Sequence, residues 1–455
     1  YGDHRDLHFF PTRRSSDLKS FYVDNHGCAK NQVDAEEIIA RLLADGWKHG
    51  HTPADADLVI VNTCGFIDDA KKESIDAVIA MKSAYPDKKV LVAGCLSQRY
   101  SEALGADMPE ADGVFGNGDL SRVTAVAAGV IAGARPTTVP PRVPYSPARR
   151  AELLGFPRTA YLKIAEGCGN LCTFCAIPLI RGGTSSREPD DVAREFSELV
   201  AGGAWEVCLI GQDLGSYGLD RGGKALLPEL LSAISSVSGD WRLRMLYIHP
   251  DRFPAAVLDV CARDKRILPY FDLPVQHAST RILRAMNRAG DAGRYLDLFS
   301  GIRSAVPGAV IRSTFLVGFP GEGDDDFKAL RGFQDAARLE WLGAFAYSRE
   351  EGTPAASMKG RVAKHLAAAR KREVEEAQRP ITESALARFV GSEQTVLVEE
   401  RIEGEELAIA RGYMNAPEVD GAVVVVGGEQ KPGDVIRVKV SAVRGVDLEA
   451  VPLVP

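Results

Sequence analysis

Hydrophobic positions change their period several times along the chain, and each change marks a different kind of element. Phe21–Val23 opens a short strand that reaches Gly27-Cys28. Asp34 to Asp45 then places Ile38, Ile39, Leu42 and Leu43 on one face of an amphipathic helix. Asp57–Asn62 (DLVIVN) is apolar without alternation, as a parallel strand covered on both faces requires. It stops at Thr63-Cys64-Gly65, and a helix is predicted from Asp68 to Ala84. Lys89–Ala93 (KVLVA) is a third strand, stopping at Gly94-Cys95 with more helix after it. Strands alternating with helices predict βαβ units around a parallel sheet.

Ala134 to Arg149 carries five prolines and breaks both periods, which makes it a linker. A second alternation starts at Tyr161. Its strand candidates are Tyr161–Ala165, Glu206–Ile210, Arg242–Tyr247, Tyr270–Pro274, Val310–Val317 and Leu342–Tyr347, with helices such as Asp190–Ala201 and Arg281–Met286 between them. Six such units predict a partial, TIM-like β/α barrel, short of the full eight. Lys364 to Arg388 is a long polar helix, expected to be interrupted near Pro380. After Gly391 come short Val-rich strands, Thr395–Glu399, Ala422–Val426 and Val435–Val440, separated by turns such as Lys431-Pro432-Gly433-Asp434. These predict a small antiparallel β-barrel.

The fold class is therefore α/β. A parallel α/β domain occupies residues 19–135 and a linker 136–155. The partial barrel spans 156–388 and the small β-barrel 389–455. Tyr1 to Leu18 shows no period and resembles translated sequencing-adapter read-through; the other reading is a disordered tail.

Composition narrows the class of protein. No apolar run approaches the roughly 20 residues that span a bilayer, and no secretory signal opens the chain, so a cytoplasmic protein with no membrane partner is expected. The formal net charge of −7 argues against a broad nucleic-acid footprint. Eight cysteines in such a chain point to metal or catalytic use in a reducing compartment.

Cys168, Cys172 and Cys175 form C-x3-C-x2-C in a Gly-rich loop directly after a strand. Cysteine thiolates are the usual ligands of iron–sulfur clusters, and three ligands on a four-iron cluster leave one iron open to a small molecule. A structural zinc knuckle is the competing reading, but such sites normally close with four ligands. Cys28, Cys64 and Cys95 each follow a strand end, and in a parallel sheet those ends share one edge. A lone cysteine is most often a small buried hydrophobe, which is the expectation for Cys208 and Cys261. Three at one structural position point instead to a second cluster.

The segments GCAKNQVDAEE, VNTCGFIDDAKKES, VAGCLSQRY, YLKIAEGCGNLCTFCAIPLIRG, LPVQHAS and RSTFLVGFPGE together resemble the methylthiotransferase family of radical S-adenosylmethionine (SAM) enzymes, from about Ser20 to the C-terminus. The resemblance implies three parts: an N-terminal domain with an auxiliary 4Fe–4S cluster, a radical SAM domain and a TRAM domain. It implies that Cys168, Cys172 and Cys175 hold the SAM-cleaving 4Fe–4S cluster, whose reduction of SAM releases a 5′-deoxyadenosyl radical. Cys28, Cys64 and Cys95 would hold the cluster that carries or supplies sulfur, and a second SAM would methylate it.

Candidate SAM contacts are Gly211, Gln212 and Asp213, near the amino group; Gln276 and His277, toward SAM or substrate; and Gly318 to Glu322, toward the adenosine. Each is equally an ordinary loop or turn residue. The resemblance also implies an external electron donor such as a flavodoxin or ferredoxin, and a monomer.

The family modifies either a tRNA adenosine or an aspartate of small-subunit ribosomal protein S-twelve. Gly27-Cys28-Ala29-Lys30-Asn31, Cys64-Gly65-Phe66-Ile67-Asp68 and Asn415-Ala416-Pro417-Glu418-Val419-Asp420-Gly421 resemble the ribosomal-protein branch. From Gly391 onward six basic side chains face twelve acidic ones, a balance of −6 that repels tRNA phosphates and suits a basic protein. A solvated acidic surface with no partner is the plainer reading of that charge. A non-catalytic iron–sulfur sensor is the reading outside enzymology.

Overall fold

The computed structural model describes residues 19–453, so the unpatterned segment 1–18 lies outside the described residues. Contacts gather the chain into two compact units. One holds the residues up to Gly65, Asp69–Val143 and Pro147–Glu152; the other holds Phe66–Asp68, Pro144–Ser146 and everything from Leu153. Among the described residues, no helix is long and apolar enough to cross a membrane.

The first unit runs β1 (Ser20–Asn25), α1 (Ala29–Ala44), β2 (Lys48–His49), β3 (Leu58–Thr63), α2 (Asp68–Ala84), β4 (Lys89–Gly94), α3 (Cys95–Asp107), β5 (Gly113–Gly116), α4 (Val123–Ile131) and β6 (Thr137–Thr138). Its strands form one parallel sheet in the order β2-β1-β3-β4-β5-β6. Continuous apolar runs become fully covered strands here: Val59, Val61, Val90 and Val92 pack with Leu96, Leu104 and Met108 in one core. Each such side chain contributes about 1.5–3 kcal/mol by leaving water.

Helix α1 starts at Ala29, five residues before the expected Asp34, because Asn31, Gln32, Asp34, Glu36 and Glu37 are buried polar residues that hide its period. Glu36 is buried against the Arg150 guanidinium, an ion pair that the hydrophobic pattern does not display. Strands β5 and β6, four and two residues long, are too short to show a period and were not anticipated.

The second unit continues with β7 (Thr159–Lys163), β8 (Ala165–Glu166), α5 (Ile177–Arg181), β9 (Ser185–Ser186), α6 (Pro189–Ala201), β10 (Glu206–Ile210), α7 (Leu227–Ser235), β11 (Arg242–Met245), α8 (Ala256–Arg263), β12 (Ile267–Asp272), α9 (Thr280–Ala285), α10 (Ala292–Ala305), β13 (Val310–Val317), α11 (Asp324–Ala337) and β14 (Trp341–Ala346). The six expected strands form a parallel sheet in the order β7-β10-β11-β12-β13-β14. Helix α6 shows how each helix covers it. Pro189 stands at the first turn with Asp190 and Asp191, where missing N–H groups cost nothing and carboxylates meet the positive helix end. Val192, Phe196 and Leu199 then recur at helical spacing and are buried, Phe196 edge-on to Trp241 with centroids 4.9 Å apart.

Helix α12 (Lys364–Leu386) passes through Pro380 without ending, contrary to the expected interruption. Pro380 is exposed, while Val374, Gln378, Ile381 and Leu386 are buried. Gln378 donates to Leu339 O (2.8 Å), so tertiary contacts on both sides of the proline hold the helix.

The C-terminal strands β15 (Glu393–Arg401), β16 (Leu407–Arg411), β17 (Val423–Val426), β18 (Val435–Arg444) and β19 (Asp447–Pro452) close a five-stranded barrel in the order β15-β16-β17-β19-β18. It is not wholly antiparallel: β17 and β19 pair parallel, because β18 returns on the far side between them in sequence. The barrel docks on the N-terminal ends of the sheet strands. There Glu206 accepts from Arg244 Nε (2.8 Å) and from the Arg411 guanidinium, and Arg411 Nη2 reaches Thr159 Oγ1 (3.0 Å). Arg244 also donates to the Tyr413 and Gly412 carbonyls.

Candidate active site

The loop bearing Cys168, Cys172 and Cys175 hangs from the opposite, C-terminal end of β7. Its two ends are zipped by the β8–β9 pair, Ala165 opposite Ser186 and Glu166 opposite Ser185. Gly167 has φ +68°, and a Cβ there would collide with the carbonyls of Gly182 and Gly183. Glycine is thus required where the chain turns into the first cysteine. Beyond it, Cys168 N donates to Gly182 O (3.0 Å), Cys175 N to Cys172 O (3.0 Å) and Thr173 N to Met286 O (3.1 Å). Beneath the loop Glu166 accepts from Lys163 (2.9 Å) and Arg181 (2.8 Å). Burial alone would raise its carboxyl, but Arg181 and Lys163 outweigh it and hold Glu166 at about 2.

Burial pushes the Cys175 thiol up to about 12 and raises Cys168 as well. N–H groups oppose it: Ile177 at Cys175, and the backbone and side chain of Asn170 at Cys168. Ionising these buried thiols calls for a positive partner, which iron supplies. The donor set fits a cluster with one open iron.

The second triad sits at the C-terminal ends of the adjacent strands β1, β3 and β4. Cys28 caps α1 in extended conformation, and Cys95 is the first residue of α3. The three loops crowd together. A Cβ on Gly27 (φ +106°) would lie 3.0 Å from Cys64 Cβ, and one on Gly65 would lie 2.8 Å from Cys95 O. Asn31 stitches them, donating to His26 O (3.0 Å) and Thr63 O (2.9 Å) while its Oδ1 lies 3.2 Å from Cys95 Sγ. Asn117 Nδ2 approaches the same sulfur at 3.5 Å.

Among the described residues, no three Cys, His, Asp or Glu side chains gather as a single metal ion requires. Thiolates of a cluster bind different irons and need no such convergence. Cys208 and Cys261 are buried and their thiols are pushed up by burial, in keeping with packing.

The other expected site residues are placed less simply. Gly211 is buried and Gln212 half-buried at the end of β10. Asp213 is buried, with Gly215 N and His249 N on Oδ1 (both 2.9 Å) and Asn170 Nδ2 (2.8 Å) and the Ser216 hydroxyl on Oδ2. Gln276 has φ +70° and bridges to Phe315. His277 is fully buried, its Nδ1 accepting from Ala278 N and Ser279 N (3.0 and 2.9 Å). Glu322 accepts from Gly318 N (2.7 Å) and Arg370 (2.7 Å). A Cβ on Gly318 would collide with Ala367 of α12, so that glycine has a packing duty. Sequence reasoning missed Asn170, Asn31, His249 and Arg181. Asn170 and Asn31 stand inside the cysteine motifs, and that position was the available signal.

A parallel sheet with a C-x3-C-x2-C loop at its C-terminal edge defines a radical SAM enzyme. Residues 162–333 match the Radical SAM superfamily, residues 20–116 the "Uncharacterized protein family UPF0004" and residues 390–453 the TRAM domain. The ribosomal protein uS12 methylthiotransferase RimO of Treponema denticola is 45% identical over 94% of this chain and 100% of its own length. That of Desulfosudis oleivorans is 41% identical over 94% and 98%. Among solved structures, the radical SAM methyltransferase TsrM of Kitasatospora setae, with cobalamin and a [4Fe-4S] cluster bound, aligns with a TM-score of 0.54 at 16% identity. The alignment covers 74% of this chain and 76% of that one, a likeness of fold. This chain belongs to the family of RimO ribosomal protein uS12 methylthiotransferases.

Proposed function

We propose that this enzyme adds a methylthio group to the β-carbon of an aspartate in ribosomal protein uS12. One 4Fe–4S cluster sits on Cys168, Cys172 and Cys175, a second on Cys28, Cys64 and Cys95. The observation that carries the reading is two three-thiol sets, each at the C-terminal edge of its own parallel sheet. When bound, the first cluster supplies the electron that cleaves SAM and the second supplies sulfur. Around the first, the Lys163–Glu166–Arg181 cluster anchors the start and end of the loop. An external flavodoxin or ferredoxin delivers the electron, and the chain works as a cytoplasmic monomer.

Acidic charge on the C-terminal barrel supports a basic protein substrate. Arg411 and Asp420 are buried and Glu399 is mostly buried in ion pairs, yet Glu400, Glu403, Glu405 and Glu406 are all exposed around the β15–β16 turn. Such a field steers a basic partner and repels RNA. The test is anaerobic incubation of the reconstituted enzyme with uS12, SAM and a reductant. Mass spectrometry should find one methylthio group on an aspartate. Unmodified uS12 alongside 2-methylthio-adenosine in tRNA would overturn the substrate.

A further inference from the structure

Two carboxylates on different domains share one guanidinium, and the contacts run on from there to the loop of Cys168, Cys172 and Cys175. Asp420 belongs to the small barrel, between β16 and β17. Its Oδ2 accepts from the Tyr270 hydroxyl (2.6 Å) and Ala416 N (2.8 Å), while its Oδ1 accepts no hydrogen bond and lies 3.4 Å from Arg312 Nε. The same Arg312 donates to Asp272 Oδ1 (3.2 Å), and all three side chains are largely buried. Asp272 ends β12. Its Oδ2 accepts from Tyr247 N (3.2 Å) and its carbonyl from Ile248 N (2.9 Å). Tyr247 has φ +66°, a backbone that a bulky residue keeps only where its surroundings hold it. Two residues on, His249 N donates to Asp213 Oδ1 (2.9 Å). Asp213 Oδ2 accepts from Asn170 Nδ2 (2.8 Å), inside the C-x3-C-x2-C motif.

Burial raises the Asp420 carboxyl to about 6, against the pull of Arg312 and Tyr270. An unfolded aspartate titrates lower, near 3.9, so at pH 7 the ionised side chain costs the folded state stability. Asparagine would serve Tyr270 and Ala416 equally well, so the charge itself is directed at Arg312.

We infer that Asp420, Arg312 and Asp272 form a relay through which the small barrel positions the turn at residues 246–249 and, past Asp213, the loop of Cys168–Cys175. The inference rests on the proposed cluster at that triad and concerns how a separate domain orders its surroundings. Asp420→Asn keeps an oxygen for Tyr270 and Ala416 but sets an NH2 group against Arg312. The guanidinium then turns wholly to Asp272, the Asp272–Tyr247 bond loosens, and Tyr247 leaves its left-handed backbone. Contiguous contacts trace the route; coupling between its ends is what has to be measured.

The experiment uses the full chain with both clusters reconstituted and compares Asp420→Asn, Asp272→Asn, the double variant and Tyr413→Phe. The last removes a hydroxyl that donates to Gly308 O (3.1 Å) at the same docking face, outside the relay. Amide hydrogen exchange is followed in peptides covering 168–175 and 246–249. The electron paramagnetic resonance signal of the reduced chain is recorded with and without SAM, and 5′-deoxyadenosine is counted without any protein substrate. Both single variants should speed exchange in both peptides about tenfold, alter the SAM-dependent signal and slow SAM cleavage about fivefold. The double should be no worse than Asp272→Asn, since members of one network are non-additive. Tyr413→Phe should match wild type, and the thermal midpoint of Asp420→Asn should not fall. Wild-type exchange at 246–249 in Asp420→Asn, or additive losses in the double, would overturn the inference. A lowered midpoint with faster exchange confined to the small barrel would reduce Asp420 to a docking residue. A wild-type chain with no SAM-responsive signal would sink the proposed function instead, and exchange at 246–249 would still decide the relay.

Discussion

A glycine shows most directly how sequence becomes chemistry here. Gly167 precedes Cys168 and takes φ +68° against the Gly182 and Gly183 carbonyls. Alanine would strain the backbone by roughly 1–2 kcal/mol and push the loop off β9 as well. Gly167→Ala should therefore fold but bind about half the iron of wild type after anaerobic reconstitution, with 5′-deoxyadenosine formation lost. Full iron content and unchanged SAM cleavage would contradict this. The six cysteines were legible as two triads because chain spacing and strand ends announce them. The polar residues around them were not, since a hydrogen bond such as Asn170 to Asp213 joins positions 43 apart in sequence. His277 and Glu322 show how folding adds partners that residue type does not name. His277 Nδ1 accepts from Ala278 N and Ser279 N while its Nε2 is buried without a hydrogen bond, and Glu322 accepts from Gly318 N and Arg370.

At the scale of elements, hydrophobic period located strands well wherever a run was continuous and buried. It failed for α1, whose buried face carries Asn31, Asp34, Glu36 and Glu37, and for short β5 and β6. It failed again at Pro380, where local propensity argued for a break and packing overrode it. A proline inside a helix forfeits one hydrogen bond and crowds the preceding turn, at about 3 kcal/mol in an unsupported helix. Pro380 is exposed, so Pro380→Ala should raise the midpoint of thermal unfolding by several degrees, for about 1–3 kcal/mol regained. A lowered midpoint would mean that the proline shapes α12 against its neighbours.

For the whole molecule, the decisive contact is the buried charge cluster joining the small barrel to the strand N-termini. Burial works against the Glu206 carboxylate, but Arg244 and Arg411 win and hold it at about 2. Its folded value lies below the unfolded one of about 4.3, so the stabilisation is full above pH ~4.3 and drains away as pH falls toward about 2. Arg411→Ala leaves Glu206 and Glu399 short of a partner and should cost about 3–5 kcal/mol at pH 7 in urea unfolding. The gap from wild type should narrow as pH drops through that acid window. A gap unchanged with pH would place the cost elsewhere.

The chain by itself determined the order of its parts, the strands with continuous apolar runs, and both cysteine triads, because these depend on periods and spacings a few residues long. Family resemblance in long motifs followed from the same local text. Only the tertiary structure decided that β17 and β19 pair parallel, that Arg411 and Glu206 join the barrel to the strand N-termini, and that Asp213 accepts from Asn170. Those outcomes rest on buried polar groups finding partners far away in sequence. Burial makes an unpaired charge or donor costly, and which partner meets it is settled only when the chain has folded.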